Sequence, residues 1–522
     1  MLFRTILLTI LISSFTIVGN GGYSFNLAQA TEKPAEFPFP QKEFTSGNDE
    51  SPDIKDSNLK AEVVADGLDL PTTMAFLGPN DILVLEKEKG TVQRIVDGKM
   101  LSEPLLDVNV AAAVERCMCG IAISKNGSTT YVFLYYTEAE TADKEDMTKG
   151  KEPIGNRLYR YELADNKLVN PKLLLDLPAA PGPRHNGGAI IVGPDNNIYV
   201  AIGDVDGTYK EGFTTKAQNY VEDGSQPDGR GGILRVTQDG QPIGNGIIGN
   251  KFPLNLYYAY GVRSSFGLDF DPLTGKLWDT ENGAGYADEI NLVYPGFNSG
   301  WKQVQGMASL KSDFDPKALV NFDGKGKYSD PKFEWIGTVG PTAIKFLNSS
   351  KLGQQYENNI FVGDAHEGRI YHFKLNADRT ELVLDGQLAD KVAETQSEDE
   401  LKDIIFGTGF GGITDLEVGP DGYLYALSIG QGKIFKIVPQ ENSGNVQDNN
   451  NNNNNVNNGN TNGNTQDNSG NGNVNTQEDN QGNNNNNDTS NGNTEDNSGN
   501  VFKLAPLSPQ ESNDNNNNNN NG

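Results

Sequence analysis

The sequence predicts an all-β protein: a six-bladed β-propeller with a disordered, low-complexity C-terminal tail. Two observations carry the propeller. A strand, a Pro/Asp/Asn/Gly turn and a second β-rich run recur six times between Met74 and Val438. The amphipathic stripe that would mark strand–helix–strand units is missing. A third observation carries the tail. From Glu441 to Gly522 the chain is mostly Asn, with scattered Gly, Asp, Glu, Ser and Thr, too polar to bury a core.

In chain order, Arg4 precedes an uncharged apolar run from Ile6 to Val18, and Ala28-Gln29-Ala30 follows. This reads as a signal peptide over residues 1–30. The alternative is an uncleaved anchor, for which the run is short against a hydrocarbon core of about 30 Å. Residues 31–57, rich in Pro, Glu and Ser, read as a linker. The repeats fill 58–440, with turn centres near residues 79, 127, 195, 272, 359 and 421. The third copy, GGAIIVGPDNNIYVAIGD from Gly187, and the sixth, ITDLEVGPDGYLYALSIGQGKIFKIV from Ile413, show the grammar most plainly. No such unit can hide its own apolar faces, but units stacked radially cover one another. Residues 391–403 could hold a short helix. Residues 441–522 are the tail, with one apolar island at Val501–Ala505.

The formal net charge is -28, which argues against a nucleic-acid sheath or a polybasic membrane surface. No strong membrane-binding signal follows the leader. Two cysteines exclude a disulfide-dense scaffold and a four-cysteine zinc module. With the leader, this places the protein outside the cytoplasm: secreted, periplasmic or at the cell surface.

A propeller collects function at one mouth, where inner strands and loops converge. Of three histidines, His372 sits in a strand-like alternation and reads as structural. His185 ends a Pro/Gly loop and opens a hairpin beside Gly187 and Gly188. An imidazole there suits a general base, and Asp204, at the end of the hairpin, could fix its tautomer. Asp195, Asp271 and Asp421 occupy turns and read as local backbone acceptors. Cys117 and Cys119 point the same way if Met118 lies between them on a strand. They could bind a soft metal such as copper, form a disulfide, or be two buried small residues.

The stretches RHNGGAIIVGPDNNIYVAIGD from Arg184 and YGVRSSFGLDFDPLTGKLWDTENGAGYADEINLVYPGFNSGW from Tyr260 carry a resemblance. With PTTMAFLGPNDILVLEK at Pro71 and ITDLEVGPDGYLYAL at Ile413, they are similar to the soluble glucose, aldose-sugar and sorbosone dehydrogenases. Those enzymes depend on pyrroloquinoline quinone (PQQ). The resemblance implies a six-bladed propeller. It implies His185 as the base on a sugar's anomeric hydroxyl, Asp204 as its support and Arg263 beside the reacting quinone carbonyl. It places Arg263, Ser264, Asn282, His366 and Thr414 around the cofactor. It also implies Ca²⁺ held by the backbone carbonyls of Gly283 and Ala284. The Asp288-Glu289 pair matches the family, in either a loop-structural or a metal role. Trp301 matches a packing position.

The chain departs from the pattern at the cofactor. Ser264 and Ser265 replace an Asn-Pro pair, and Gly412-Ile413-Thr414-Asp415 lacks two arginines. His366 stands where relatives have a lysine, and the second-blade glutamine falls within the altered segment Glu115–Gly120. Arg184, Lys345, His366 and Arg369 are the cations that could compensate.

The expected function is an exported quinoprotein oxidoreductase. It would transfer hydride from the C1 hydroxyl of an aldose sugar, or a similar alcohol or aldehyde, to PQQ, and pass electrons to an external acceptor. Two alternatives stay open: a catalytically inactive propeller that binds carbohydrate or a protein partner, and a propeller with a copper or other redox site at Cys117 and Cys119.

Overall fold

Short strands of Ile, Val, Leu and Tyr, broken by Gly, Asp and Asn turns, leave the chain one economical option: antiparallel meanders that stack side by side. The computed structural model describes residues 51–140, 153–205, 227–312 and 314–440, and the backbone of Phe502–Lys503. The leader read over 1–30 and nearly all of the tail lie outside the described residues.

A two-residue strand, β1 (Asp53–Ile54), and a longer one, β2 (Leu59–Ala65), open the described chain and join sheets completed much later. The first meander is β3 (Pro71–Gly78), β4 (Asp81–Glu86), β5 (Thr91–Val96) and β6 (Lys99–Met100), with β7 (Leu106–Asp107) also on β5. The second is β8 (Met118–Asn126), β9 (Thr129–Ala139), β10 (Pro153–Ala164) and β11 (Lys167–Leu177). The third is β12 (Ile190–Val192), β13 (Ile198–Ile202), β14 (Gly232–Val236) and β15 (Tyr257–Tyr260). The fourth begins with β16 (Ser265–Phe270), β17 (Leu277–Glu281) and β18 (Asp288–Val293). Two short strands, β19 (Phe297–Asn298) and β20 (Lys327–Tyr328), return to the third sheet before β21 (Phe333–Trp335) extends the fourth.

The fifth meander is β22 (Pro341–Phe346), β23 (Ile360–Asp364) and β24 (Ile370–Leu375), with β25 (Leu382–Val383) paired to β24. β26 (Val392–Ala393) adds to the fourth sheet. A single-turn helix, α1 (Glu398–Leu401), follows, capped by the Ser397 side chain. β27 (Ile405–Thr408) then completes the fifth sheet, and β1 adds to its edge. The last strands of the ring are β28 (Ile413–Val418), β29 (Leu424–Ser428) and β30 (Lys433–Pro439), and β2 pairs antiparallel with β30. Within the tail's apolar island, the backbone of β31 (Phe502–Lys503) runs parallel to Leu175–Asp176 of β11.

These pairings correct the expectation of a six-bladed propeller. Five blades are complete, each built on four strands taken in chain order, although β19 and β20 leave the fourth stretch and β26 leaves the fifth to join the preceding sheet. The sheet that closes the ring is no sixth copy: the C-terminal stretch gives it only β28, β29 and β30, and β2 from the N-terminal end supplies its outer strand. The repeat pattern misses this because β28–β30 read like every other unit, while the strand that completes them lies some 370 residues earlier. The repeating unit is a four-stranded meander.

The first strands of neighbouring sheets touch in the order β3, β8, β12, β16, β22, β28 and back to β3. An apolar core fills each space between sheets. Leu158, Leu175, Val200 and Leu234 pack between the second and third. Trp278, Trp335, Val362 and Phe373 do so between the fourth and fifth. Because all first strands run alike around the ring, their N-terminal ends share one mouth.

Candidate active site

Hydrogen bonds at the N-terminal ends of the first strands link sheet to sheet. Thr72 donates to Met118 O at 2.7 Å, Thr414 donates to Pro71 O at 3.0 Å, and Thr342 donates to Ile413 O. Asn282 Nδ2 donates to Pro341 O at 3.2 Å. This belt places Thr414 and Asn282 at the mouth, but both side chains are spent on the scaffold.

His185 enters from the loop before β12. Its backbone is in the left-handed region at φ 57°, and Glu115 from the loop before β8 accepts its N–H at 2.6 Å. Tyr135 reaches across to donate to the carbonyl of the next residue, Asn186, at 2.7 Å. Gly188 allows the loop to lie flat on β8, since a Cβ there would sit 2.4 Å from Cys119 Cβ. The His185 side chain is only 4% exposed and Asp204 is fully buried. Nδ1 of His185 lies 2.6 Å from Asp204 Oδ1. A carboxylate only accepts, so Nδ1 carries the proton and Nε2 keeps its lone pair. Trp301 Nε1 donates to the other oxygen, Asp204 Oδ2, at 2.8 Å, and Asp204 N donates to Arg263 O at 3.0 Å. The sequence reading joined His185 to Asp204. It took Trp301 for packing, and it missed Glu115.

Arg263 precedes β16, with its guanidinium carbon 5.4 Å from the centre of the Trp301 ring. Its backbone N–H is accepted by Glu281 Oε1 at 2.6 Å. Its Nη1 donates to Asn282 O at 2.6 Å and Gly283 O at 2.7 Å. Arg263 Nε and the hydroxyls of Ser264 and Ser265 are buried without a partner. A buried cation and hydroxyl that lack acceptors fit an anionic or carbonyl-bearing ligand.

The loop after β17 does not fit calcium in the same way. Gly283 O is already bound by a cationic guanidinium. Asp288 is spent on backbone: Oδ1 accepts Gly283 N at 2.7 Å, and Oδ2 accepts Val339 N and Gly340 N at 2.7 and 2.8 Å. Among the described residues no three His, Cys, Asp or Glu side chains converge as a metal site. Of the two carbonyls read as metal ligands, that of Gly283 is the one already engaged by Arg263. The Asp288 carboxylate staples the loop.

His366 is exposed, with Nδ1 3.2 Å from Thr338 O. Arg369 points away to Gln396 O at 3.2 Å. Lys345 lies toward the C-terminal end of β22, paired with Glu417 at 3.0 Å and Asp269 at 3.6 Å. It lines a 530 Å³ cavity at the opposite mouth, so it is no substitute for the missing arginines. Lys87, just after β4, is a nearer cation that the sequence reading passed over. It donates to Ala112 O at 3.0 Å, and burial lowers its pKa against the pull of Glu88 and Glu115.

Cys117 and Cys119 form a disulfide. A pair already joined offers copper no thiolates, which removes that alternative as drawn. His372, read as structural, is half-buried beside Phe361 and Tyr356, and desolvation lowers its pKa to about 4.

Beneath the mouth, Asp279 and Glu281 on β17 face Glu289 and Asn291 on β18 in register. All are buried. Desolvation, then Glu289, pushes Asp279 up to about 7; desolvation, then Asp279, pushes Glu281 up to about 8.

Comparison with known proteins agrees with this architecture. An aldose sugar dehydrogenase of Escherichia coli is 23% identical over 392 residues, covering 74% of this chain and 94% of that protein. An uncharacterized protein of Synechocystis is 25% identical over 389 residues, covering 71% and 84%. The PQQ-bound aldose sugar dehydrogenase of Streptomyces coelicolor superposes with a TM-score of 0.53 at 22% identity, covering 75% of this chain and all of that one, and so shares the fold. The glucose/sorbosone dehydrogenase family profile matches residues 68–436, well over half of the sequence. On that match, over a propeller of the oxidoreductase type, the chain belongs to the glucose/sorbosone dehydrogenase family.

Proposed function

We propose that the chain is an exported quinoprotein oxidoreductase that oxidises the C1 hydroxyl of an aldose sugar or a similar alcohol. The observation that carries this reading is the His185–Asp204 pair, 2.6 Å apart and buried, with Nε2 of His185 as its one uncommitted basic atom. His185 takes the hydroxyl proton at Nε2, and Asp204 stabilises the imidazolium that forms. When bound, PQQ supplies the hydride acceptor. Arg263 and Ser264 would hold it, because their buried Nε and hydroxyl have no other acceptor. The Arg263 charge offsets negative charge that develops on an oxygen placed there. Electrons then leave to an external acceptor. Export rests on the leader. Among the described residues no helix is long and apolar enough to cross a membrane.

The test is dye-linked sugar oxidation after incubation with PQQ. Wild type should reduce dye in a sugar-dependent manner. His185→Ala should lose about 10²–10⁴-fold of the rate, the usual contribution of a general base. Equal activity in the two proteins, or no sugar-dependent activity in either, would defeat the reading.

A further inference from the structure

The backbone carbonyls of Asn282 and Gly283 converge on one point, and a cation of the chain itself occupies it. Arg263 Nη1 is 2.6 Å from the first oxygen and 2.7 Å from the second. Three features hold the guanidinium there. The Arg263 backbone N–H is tied to Glu281, the Trp301 ring lies over the guanidinium, and the whole residue is 9% exposed. The two carbonyls are the direct acceptors of Nη1, and the Glu281 carboxylate that holds the Arg263 backbone adds its charge to theirs.

The cradle is shaped by the loop and not by the arginine. Gly283 has no room for a side chain, since a Cβ would lie 2.0 Å from Tyr286 O and 2.6 Å from Ala287 O. Asp288 fixes Gly283 N from below, and Gln305 Oε1 accepts Ala284 N at 3.1 Å. The loop would therefore present its carbonyls whatever cation faced them. A divalent ion at the same point would need six to eight oxygens at about 2.3–2.6 Å. It would have to share Gly283 O with a fixed positive charge, and among the described residues no three His, Cys, Asp or Glu side chains converge to hold a metal ion.

We propose that Arg263 is the resident cation of the Asn282–Gly283 cradle, in place of a divalent metal, so that this mouth binds its anionic or carbonyl-bearing ligand without metal. The ligand's identity rests on the proposed function; the metal-free cradle does not. Arg263 then performs two tasks that chemistry commonly divides. Nη1 is anchored by the protein, and Nε, buried and unpartnered, is left to face ligand oxygen.

The test uses the full chain stripped with chelator. Terbium, a calcium mimic, is titrated, and its emission is excited through tryptophan. Trp301 lies beside the cradle, so emission lost in Trp301→Phe reports this place. Wild type should give no Trp301-dependent emission at micromolar terbium. Arg263→Ala should bind at least tenfold more tightly. Arg263→Gln, which keeps bulk and removes charge, serves if the alanine variant does not fold. One equivalent of Trp301-dependent terbium in wild type, displaced by calcium, would overturn the proposal. So would variants as blind to terbium as wild type. PQQ affinity is measured in parallel, with chelator and with calcium. A change below threefold supports the proposal, and calcium-dependent tightening above tenfold defeats it. Failure of PQQ to bind under both conditions would sink the quinone reading alone.

Discussion

Glu115 holds His185 by its backbone: the carboxylate Oε2 accepts the His185 N–H at 2.6 Å. The acceptor comes from the loop entering the second sheet and the donor from the loop entering the third. The base is thus positioned by a neighbouring blade. Its left-handed φ of 57° is a conformation that a non-glycine residue keeps only when its surroundings impose it. Glu115→Ala leaves that N–H without its partner. We expect a loss of about 1–3 kcal/mol in stability. Amide exchange at residues 183–188 should rise. Unchanged exchange there would show that Glu115 does not hold the loop.

Asp204→Asn tests the tautomer argument. Trp301 Nε1–H needs an acceptor, so it should turn the new amide's oxygen toward itself and its NH₂ toward His185 Nδ1. The proton would then move to Nε2, and the base would be blocked. The expected result is a fold with near-normal melting and a kcat lowered by about 10⁴-fold. A variant with more than a tenth of wild-type kcat would show that the tautomer is not set by Asp204.

The buried carboxylates below the mouth predict a pH dependence of stability. Asp279 and Glu281 have folded pKa values raised to about 7 and 8, above those of the unfolded chain, by desolvation and mutual repulsion. A raised carboxylate pKa means that the folded state binds more protons than the unfolded state. The stability they contribute is therefore fully present only below about pH 4, where the unfolded carboxyls are protonated too, and it is lost as pH rises to the folded values of about 7 and 8. Asp279→Asn should flatten this fall, with a higher melting temperature than wild type at pH 9. Parallel melting curves for the two proteins across pH 6–9 would contradict it.

Cys117 and Cys119 should give no thiol titre in the native protein and two equivalents after reduction and denaturation. Copper should bind at this place only after reduction. Titratable thiols in freshly purified native protein would show that the pair is open and return the copper reading to consideration.

Much of the propeller was legible because each meander repeats its own turn. Asp195, Asp271 and Asp421 accept from backbone N–H groups two residues on, as their turn positions implied. The closing sheet was not legible, because nothing in β2 marks it as the partner of a strand so far along the chain. His185 and Asp204 could be joined because one hairpin separates them. Glu115 and Trp301 could not, since they reach the pair from other sheets and both types are common in ordinary structure. The carbonyl loop was found, but its occupant was not: sequence shows that carbonyls are exposed and not which cation rests on them. Buried Asp279 left no trace, as an alternating strand does not reveal which polar residue faces inward.

The pairing of β2 with β30 makes the ring a clasp. Leu59 stands opposite Pro439, and Gln440 N donates to Asn58 O at 2.6 Å, so the two ends of the propeller leave side by side. During synthesis the first long strand made must wait for the last, and the ring stays open until nearly all of it has emerged. Force drawn through the leader-side and tail-side segments would first pull the two-residue β1 from β27 at the edge of the fifth sheet, and would then meet the seam at its end and part it one hydrogen bond at a time.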